Sequence, residues 1–176
     1  MTSVTPEPDA DRTLAVAPSR RGWRIVAYVV VLVVLVAAVG WVTTHPEELP
    51  TSAARVTAST PVTVPVYVGV FSAPADRTLH VSGVRVFATS TAPVKVVPHV
   101  CHGGSVTVTT TPESFCTELG ATEDATLVGW DEVVLEVVGD EPGVVEIDRV
   151  RIAYRDGLQW ATQDAGARSQ VTILAR

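Results

Sequence analysis

The protein has 176 residues, with 13 Lys and Arg against 19 Asp and Glu, which gives a formal net charge of −6. This length allows one domain of ordinary size and a short additional element. The acidic balance argues against nucleic acid as a partner, because phosphate binding requires a basic surface. Two Cys exclude a disulfide-dense miniprotein and a four-cysteine zinc site.

The N-terminal part of the chain predicts a tail and a transmembrane helix. Residues 1–22 carry Thr, Pro, Ala and isolated charges without apolar periodicity, which indicates a disordered cytoplasmic tail. Residues 23–42 read WRIVAYVVVLVVLVAAVGWV, with Arg24 as the only charge. Twenty residues at a rise of about 1.5 Å span roughly 30 Å, the thickness of a bilayer's hydrocarbon core. Tryptophans at both ends of the run are typical of membrane interfaces. We therefore expect a single helix in contact with membrane lipid.

The flanking charges predict the orientation of this helix. Three arginines lie at positions 20, 21 and 24, whereas the residues after the helix carry Glu47 and Glu48 and no basic residue before Arg55. The positive-inside rule then places the N-terminus in the cytoplasm and the C-terminal part outside the plasma membrane. A cleaved signal peptide is the alternative, since small residues at 38–40 provide a plausible cleavage point. Both interpretations export the C-terminal part.

The rest of the chain predicts a linker followed by an all-β domain. Pro46 and Pro50 prevent the helix from continuing, and residues 43–60 are small and polar, so we expect a linker there. From residue 61 the apolar period is two, which indicates half-buried strands. About eight such strands over 61–176 predict an exported antiparallel β-sandwich, Ig-like in type. The expected strands cover 62–70, 79–88, 94–100, 105–110, 131–138, 144–154, 158–163 and 169–175.

The alternation changes phase near Asp148 and Arg149. Apolar residues occupy odd positions before this point and even positions after it, so we expect a bulge or a strand break. Arg149, Arg151 and Arg155 then share the outer face and form a possible face for an anion or a protein partner. The alternative is cross-strand charge pairing on a solvated sheet, with Glu132 and Glu136 on the preceding strand.

The two cysteines predict a disulfide. Cys101 and Cys116 both lie on the exported side, where thiols oxidise. They are 15 positions apart, and closing a loop of this length is worth about 3 kcal/mol in the chain-entropy model. Free redox-active thiols are the alternative, although the sequence has no Cys-x-x-Cys motif.

The histidines suggest a possible metal site. His99 and His102 flank Cys101, and imidazole with thiolate is the donor set of Cu and Zn sites. On a strand, however, His99 and His102 point to opposite faces, and a disulfide-bonded Cys101 cannot bind a metal. A metal-handling domain that uses His99, His102 and His80 is therefore the second hypothesis for function, and we expect no cofactor under the first.

Other polar and aromatic residues predict only ordinary structure. The interval from Glu113 to Glu132 contains six acidic residues and no basic one, but it lacks the spacing of a calcium loop, so we expect a solvated acidic loop. Trp130 and Trp160 are expected in the core of the sandwich. The chain has no Asn, which excludes N-linked glycosylation. One Lys against twelve Arg suggests a GC-rich bacterial genome.

These observations predict a binding module rather than an enzyme. The sequence has no nucleophile elbow, no H-E-x-x-H motif, no P-loop and no dinucleotide fingerprint. A β-sandwich does not by itself indicate a function. We therefore expect a single-pass membrane protein whose exported domain binds a protein partner or acts as a scaffold at the cell envelope. An envelope enzyme of an unfamiliar type is the third hypothesis.

Overall fold

The computed structural model describes residues 20–175, and the predicted tail over 1–22 lies almost wholly outside the described residues. The chain divides into two compact units, which meet between Val39 and Gly40. The elements in chain order are α1 (Arg20–Thr44), β1 (Thr51–Pro61), β2 (Val66–Ser72), β3 (Leu79–Arg85), β4 (Ala88–Ser90), β5 (Val94–His102), β6 (Val108–Thr109), a 3-10 turn (Pro112–Ser114), β7 (Glu118–Ala121), β8 (Thr126–Leu127), β9 (Glu132–Gly139), β10 (Gly143–Ile147), β11 (Val150–Asp156) and β12 (Gln159–Leu174).

Helix α1 is slightly longer than the predicted 23–42 segment. Its 25 residues include a stretch, Gly22–Thr43, that is long and apolar enough to cross a membrane, with a mean hydropathy of 2.9. None of this stretch is buried against protein. Exposed Val and Leu at this density are unfavourable in water, whereas lipid accommodates them and requires a backbone that satisfies its own hydrogen bonds. A signal sequence near an N-terminus has the same length and composition.

The part of the chain after α1 is a β-sandwich of two sheets, as the alternation predicts. A five-stranded antiparallel sheet has the order β6-β2-β9-β5-β7. A seven-stranded sheet has the order β4-β10-β12-β11-β3-β8, with β1 added in parallel to the other edge of β12. The described residues form twelve strands instead of about eight. The strands β1, β7 and β8 are not among the expected strands, the expected strands 79–88 and 144–154 are each divided in two, and 158–163 and 169–175 are joined in β12.

Two neighbouring strand lines of the larger sheet, β10–β11 and β3–β4, are interrupted at the same level. β10 and β11 both pair with β12, at residues 169–173 and 159–165, and are separated by Asp148 and Arg149. β3 pairs with β11 and β4 pairs with β10, and residues 86–87 separate β3 from β4. The phase change predicted at Asp148 is thus one part of a break that crosses two neighbouring strand lines, while β12 continues past it. Gly166 in β12 lies at this level with φ +76°, and a Cβ there would meet the Val70 oxygen of the facing sheet at 1.9 Å. We call this line of interruptions the transverse break.

The core lies between the sheets and follows the predicted alternation. Odd residues of β9 and the apolar residues of β2 face even residues of β11 and alternate residues of β12. The side chains with the largest buried volume include Tyr154, Phe71, Leu79, Leu127, Leu135, Ile147 and Ile152. A second, smaller cluster on the outer side of the five-stranded sheet contains Cys101, Val106, Cys116 and Val134.

The segment predicted as a linker over 43–60 is largely part of the sandwich. Residues 51–61 form β1, which pairs with β12 from Gly166 to Leu174. Leu49 is 4% exposed and belongs to the main core. The sequence of β1 is small and polar because most of its side chains face solvent on an edge strand. These residues form a strand because they pair with β12.

Candidate binding face

An open groove of about 610 Å³ lies on the outer face of the seven-stranded sheet, along the transverse break. A second hollow of about 400 Å³ shares Phe87, Asp148 and Arg168 with it. From here on, the groove means the two hollows together. Because the strands separate at the break, the side chains of both halves of the sheet border the same depression. The remaining charged side chains that line the two hollows are Arg55, Glu146, Arg149, Arg151 and Asp164.

Basic residues are concentrated around this groove. The part of the chain after residue 42 has nine Lys and Arg against sixteen Asp and Glu. Four of those nine border the groove, and Arg85 lies opposite Arg151 in the β3–β11 register. By contrast, residues 94–139, which include four strands of the five-stranded sheet, carry seven acidic residues and, as the one basic residue, Lys95. The charge of the domain is therefore strongly asymmetric, and the groove is its basic region.

Three of the groove arginines are paired with carboxylates. Arg151 binds Asp164 through two hydrogen bonds, of 2.7 and 3.2 Å. The Arg168 Nε atom lies 2.9 Å from Asp148 Oδ1, and the Arg55 Nη1 atom lies 3.5 Å from the Glu146 carboxylate. Hydrogen bonds from their arginines lower the pKa of Asp148 and of Asp164. Both carboxylates are therefore ionised at neutral pH, and the charge of the nearby Arg149 also lowers the pKa of each.

Arg149 differs from the other three because the described residues give it no ion pair. Its Nη2 atom donates to the Ser52 carbonyl oxygen at 3.4 Å, and its Nε atom is buried without a hydrogen-bond partner. An unsatisfied buried donor is costly, and a guanidinium offers five donors in a planar fork that fits carboxylates. Phe87 is 42% exposed beside it, under the guanidinium of Arg151 at 5.4 Å. The groove thus combines one unpaired cation with an accessible aromatic ring.

The structure divides the predicted arginine face. Arg149 and Arg151 border the groove, whereas Arg155 lies further along β11, with its guanidinium 5.6 Å from the centre of the Trp160 ring. The expected pairing with Glu132 and Glu136 is wrong, because β9 belongs to the other sheet. Arg55, Arg168 and Phe87 also line the groove, and no pattern in the sequence pointed to them. Only their position at the break, which sequence spacing does not reveal, brings them together.

The histidines and cysteines of the predicted metal site are used in other ways. Cys101 and Cys116 are joined in a disulfide. The His99 Nε2 atom lies 2.9 Å from Glu136 Oε2, whereas the His102 Nδ1 atom lies 3.2 Å from Asp131 Oδ2. His80 is in the other sheet, where its ring contacts the Thr126 hydroxyl. Within residues 20–175, no group of three or more His, Cys, Asp or Glu side chains is arranged to hold a metal ion.

Two carboxylates of the predicted solvated acidic loop are buried instead. Asp131 is 3% exposed and Glu132 is 7% exposed. Burial would raise the pKa of Asp131, but hydrogen bonds from the amides of Val128 and Gly103 and from His102 outweigh it and lower this pKa. Burial raises the pKa of Glu132, and the hydrogen bond from the Val106 amide, at 2.6 Å, opposes this only in part. Their main hydrogen bonds join β9 to the 103–106 segment, so both have structural roles.

The tryptophans are not core residues. Trp130 is 78% exposed and Trp160 is 67% exposed. Trp160 is on the outward-facing side of β12, and Trp130 is in the turn before β9, where its φ is +74°. The core is filled instead by smaller side chains such as Leu127 and Leu135.

No family model matches the chain, and the chain matches no curated protein and no solved structure.

Proposed function

We propose that this chain is a single-pass membrane protein whose exported β-sandwich binds a protein partner at the cell envelope through the groove at the transverse break. The observation that carries this proposal is Arg149, a cation that has no ion pair among the described residues, in a basic groove on an otherwise acidic domain. Arginine and accessible aromatic residues dominate the binding energy of protein interfaces. In this proposal the domain recognises its partner and performs no chemistry.

The charge pattern of the groove favours an acidic protein segment over a polyanion. Glu146, Asp148 and Asp164 are interspersed among the arginines and repel a uniformly negative chain. A protein segment presents one or two carboxylates among neutral side chains, so one carboxylate can pair with Arg149 while an apolar neighbour covers Phe87. Desolvation of Arg149 by such a segment also strengthens the ion pair.

Other features support export and anchoring. The helix Gly22–Thr43 has the length and hydropathy of a membrane span. The disulfide between Cys101 and Cys116 is of the kind that forms in oxidising compartments, which fits an extracytoplasmic location. The arginines at 20, 21 and 24 favour a cytoplasmic N-terminus. Protease treatment of intact cells that express a C-terminally tagged chain tests this topology, because only an exported domain becomes accessible.

The groove is tested by charge reversal in the full-length protein. Arg149→Glu reverses the unpaired cation, and Lys95→Glu makes the same charge change at an exposed position on the five-stranded sheet. In-cell crosslinking of the tagged wild type should capture a partner. Capture should fall by about tenfold or more with Arg149→Glu, as expected for the loss of one desolvated charge pair, and stay unchanged with Lys95→Glu. Equal capture by both variants contradicts binding at the groove.

A further inference from the structure

One end of the sandwich is formed by turns that hydrogen bonds tie together. The amide of Ala73, just after β2, donates to the Asp131 carbonyl at 2.8 Å. The Arg77 Nε atom lies 2.7 Å from the Asp156 carboxylate in the β11–β12 turn. The Gly103 amide, after β5, donates to the Asp131 carboxylate. We call the part formed by residues 128–131 and 156–160 the apolar end.

The apolar end exposes four large hydrophobic side chains to solvent, of which Val128, at 46%, is the least exposed. Leu158 is 84% exposed, Trp130 is 78% exposed and Trp160 is 67% exposed. The backbone supports this exposure at Trp130, whose left-handed φ of +74° is unfavourable for a residue with a bulky side chain. A strained backbone that holds an indole outward is unexpected in a domain that meets only water. It indicates that the ring is needed on this surface.

The apolar end is also where the chain enters the sandwich. Residues 40–44, the last turn of α1, belong to the same compact unit as the sandwich. The Gln159 Nε2 atom donates to the Val42 carbonyl at 2.5 Å, directly beside Leu158 and Trp160. From there the chain runs along β12, since the Leu49 amide donates to the Gln163 side chain at 2.8 Å and the Pro50 carbonyl accepts from the Gly166 amide.

We infer that the apolar end lies on the lipid bilayer, with Trp130, Leu158 and Trp160 in its interfacial region. This inference rests on the membrane anchoring in the proposed function. Val42 closes the apolar run, so its hydrogen bond to Gln159 places the β11–β12 turn at the level where the membrane segment ends. Tryptophan is the residue that interfaces favour, because its ring is apolar and its N–H reaches water and headgroups. The guanidinium of Arg155, stacked over Trp160, is suited to lipid phosphate.

Docking at this end fixes the height of the groove above the membrane. Asp164 and Arg168 follow Trp160 by four and eight residues along β12. At about 3.3 Å per residue, the groove lies roughly 13–26 Å along the strand from the docked turn. With β12 along the membrane normal, this distance places the groove beyond the headgroups, where an exported partner has access to Arg149. The contact with lipid would also limit tumbling of the domain and so present the groove in one orientation.

Quenching of tryptophan fluorescence by brominated lipids tests this inference. The full-length chain carries Trp23→Phe and Trp41→Phe, which leaves Trp130 and Trp160 as its tryptophans, and is reconstituted in phosphatidylcholine–phosphatidylglycerol nanodiscs. Bromine on the upper acyl chain should lower emission by about twofold, because interfacial side chains reach about 5–10 Å into the headgroup and acyl boundary. Iodide in the water should quench the same tryptophans less in nanodiscs than in detergent.

The matched control places one tryptophan at the opposite end of the same strand. Leu174→Trp, combined with Trp23→Phe, Trp41→Phe, Trp130→Phe and Trp160→Phe, puts the only indole at a position that is 48% exposed and 14 residues from position 160. Brominated lipid should leave its emission unchanged. Unchanged emission from Trp130 and Trp160 overturns the inference, and so does equal quenching of the control.

Failure of the inference and failure of the anchor give different results. Carbonate extraction of cell membranes reports whether the full chain stays integral to the membrane. A chain that is extracted contradicts the anchor and the inference with it. A chain that is retained but shows no quenching in nanodiscs contradicts only the docking of the apolar end.

Discussion

Glu132 is a buried carboxyl that connects β9 to the segment around Val106. Two substitutions at this position measure the contribution of its hydrogen bonds and the contribution of its charge separately. Its Oε2 atom accepts a 2.6 Å hydrogen bond from the Val106 amide, and its Oε1 atom lies 3.4 Å from the Ser72 hydroxyl. Glu132→Ala leaves the Val106 amide without a partner and opens a cavity. We expect it to lower the free energy of unfolding by about 2–4 kcal/mol.

Glu132→Gln keeps an acceptor for the Val106 amide and removes the charge. Burial raises the pKa of Glu132 above the unfolded-chain value of 4.5. The wild-type chain therefore takes up a proton on folding between these two pKa values, and the contribution of Glu132 to stability is greatest below pH 4.5 and is lost as pH rises through the folded pKa. The stability of wild type relative to the Gln variant should thus increase on acidification, by at most about 1.4 kcal/mol per pH unit.

The assay is urea unfolding of the full-length protein in detergent micelles, followed by the strand signal in circular dichroism between pH 4 and pH 8. The difference between wild type and Glu132→Gln isolates this carboxyl, because all other titrating groups are shared. A difference that is constant with pH, or one that favours the Gln variant more strongly at low pH, refutes the argument that burial dominates at Glu132.

Three further predictions concern the same region. Gly69→Ala should lower the free energy of unfolding by about 3 kcal/mol or more, because the alanine Cβ would lie 1.8 Å from the Val106 oxygen and 2.5 Å from Glu132 Oε1. Gly83→Ala is the control: its Cβ would meet nothing within 4 Å, so it should be neutral in the same urea assay. Replacing Cys101 and Cys116 by Ala should cost about 3 kcal/mol, and dithiothreitol should then lower the urea midpoint of wild type but not of this variant. Asp131→Asn should destabilise the protein at pH 7 and should also reduce the loss of stability in acid. The lowered pKa of Asp131 stabilises the folded wild type above the unfolded pKa, and this contribution is lost as pH falls through the folded pKa. A urea midpoint for Asp131→Asn that falls in acid as steeply as that of wild type contradicts this.

The sequence alone was sufficient for the features that depend on local pattern. The apolar run over 23–42 predicts a helix because lipid or any apolar environment requires a backbone that bonds to itself, and the structure has α1 there. The alternation of Val with polar residues predicts a two-sided sheet, since adjacent side chains of a strand face opposite sides. The phase change at Asp148 predicts a break for the same reason, and β10 ends at Ile147.

Features that depend on which strands become neighbours required the tertiary structure. Glu132 and Glu136 alternate correctly for an outer face, but only the sheet order shows that they face away from the arginines of β11. Arg55, Phe87 and Arg168 come from three distant parts of the chain and meet at the groove only through the pairing of β12 with β1 and β10 and of β10 with β4.

The exposure of Trp130 and Trp160 also depends on the tertiary structure. A large aromatic residue in a strand-rich domain is expected in the core, because burying its surface is favourable. The core of this sandwich is filled by Val, Leu, Ile, Phe71 and Tyr154, so Trp130 and Trp160 remain at its surface. Local composition determined that this protein has a membrane-type helix and a sandwich. Long-range pairing decided which side chains share a surface, because contacts between distant residues leave no periodic signal in one sequence.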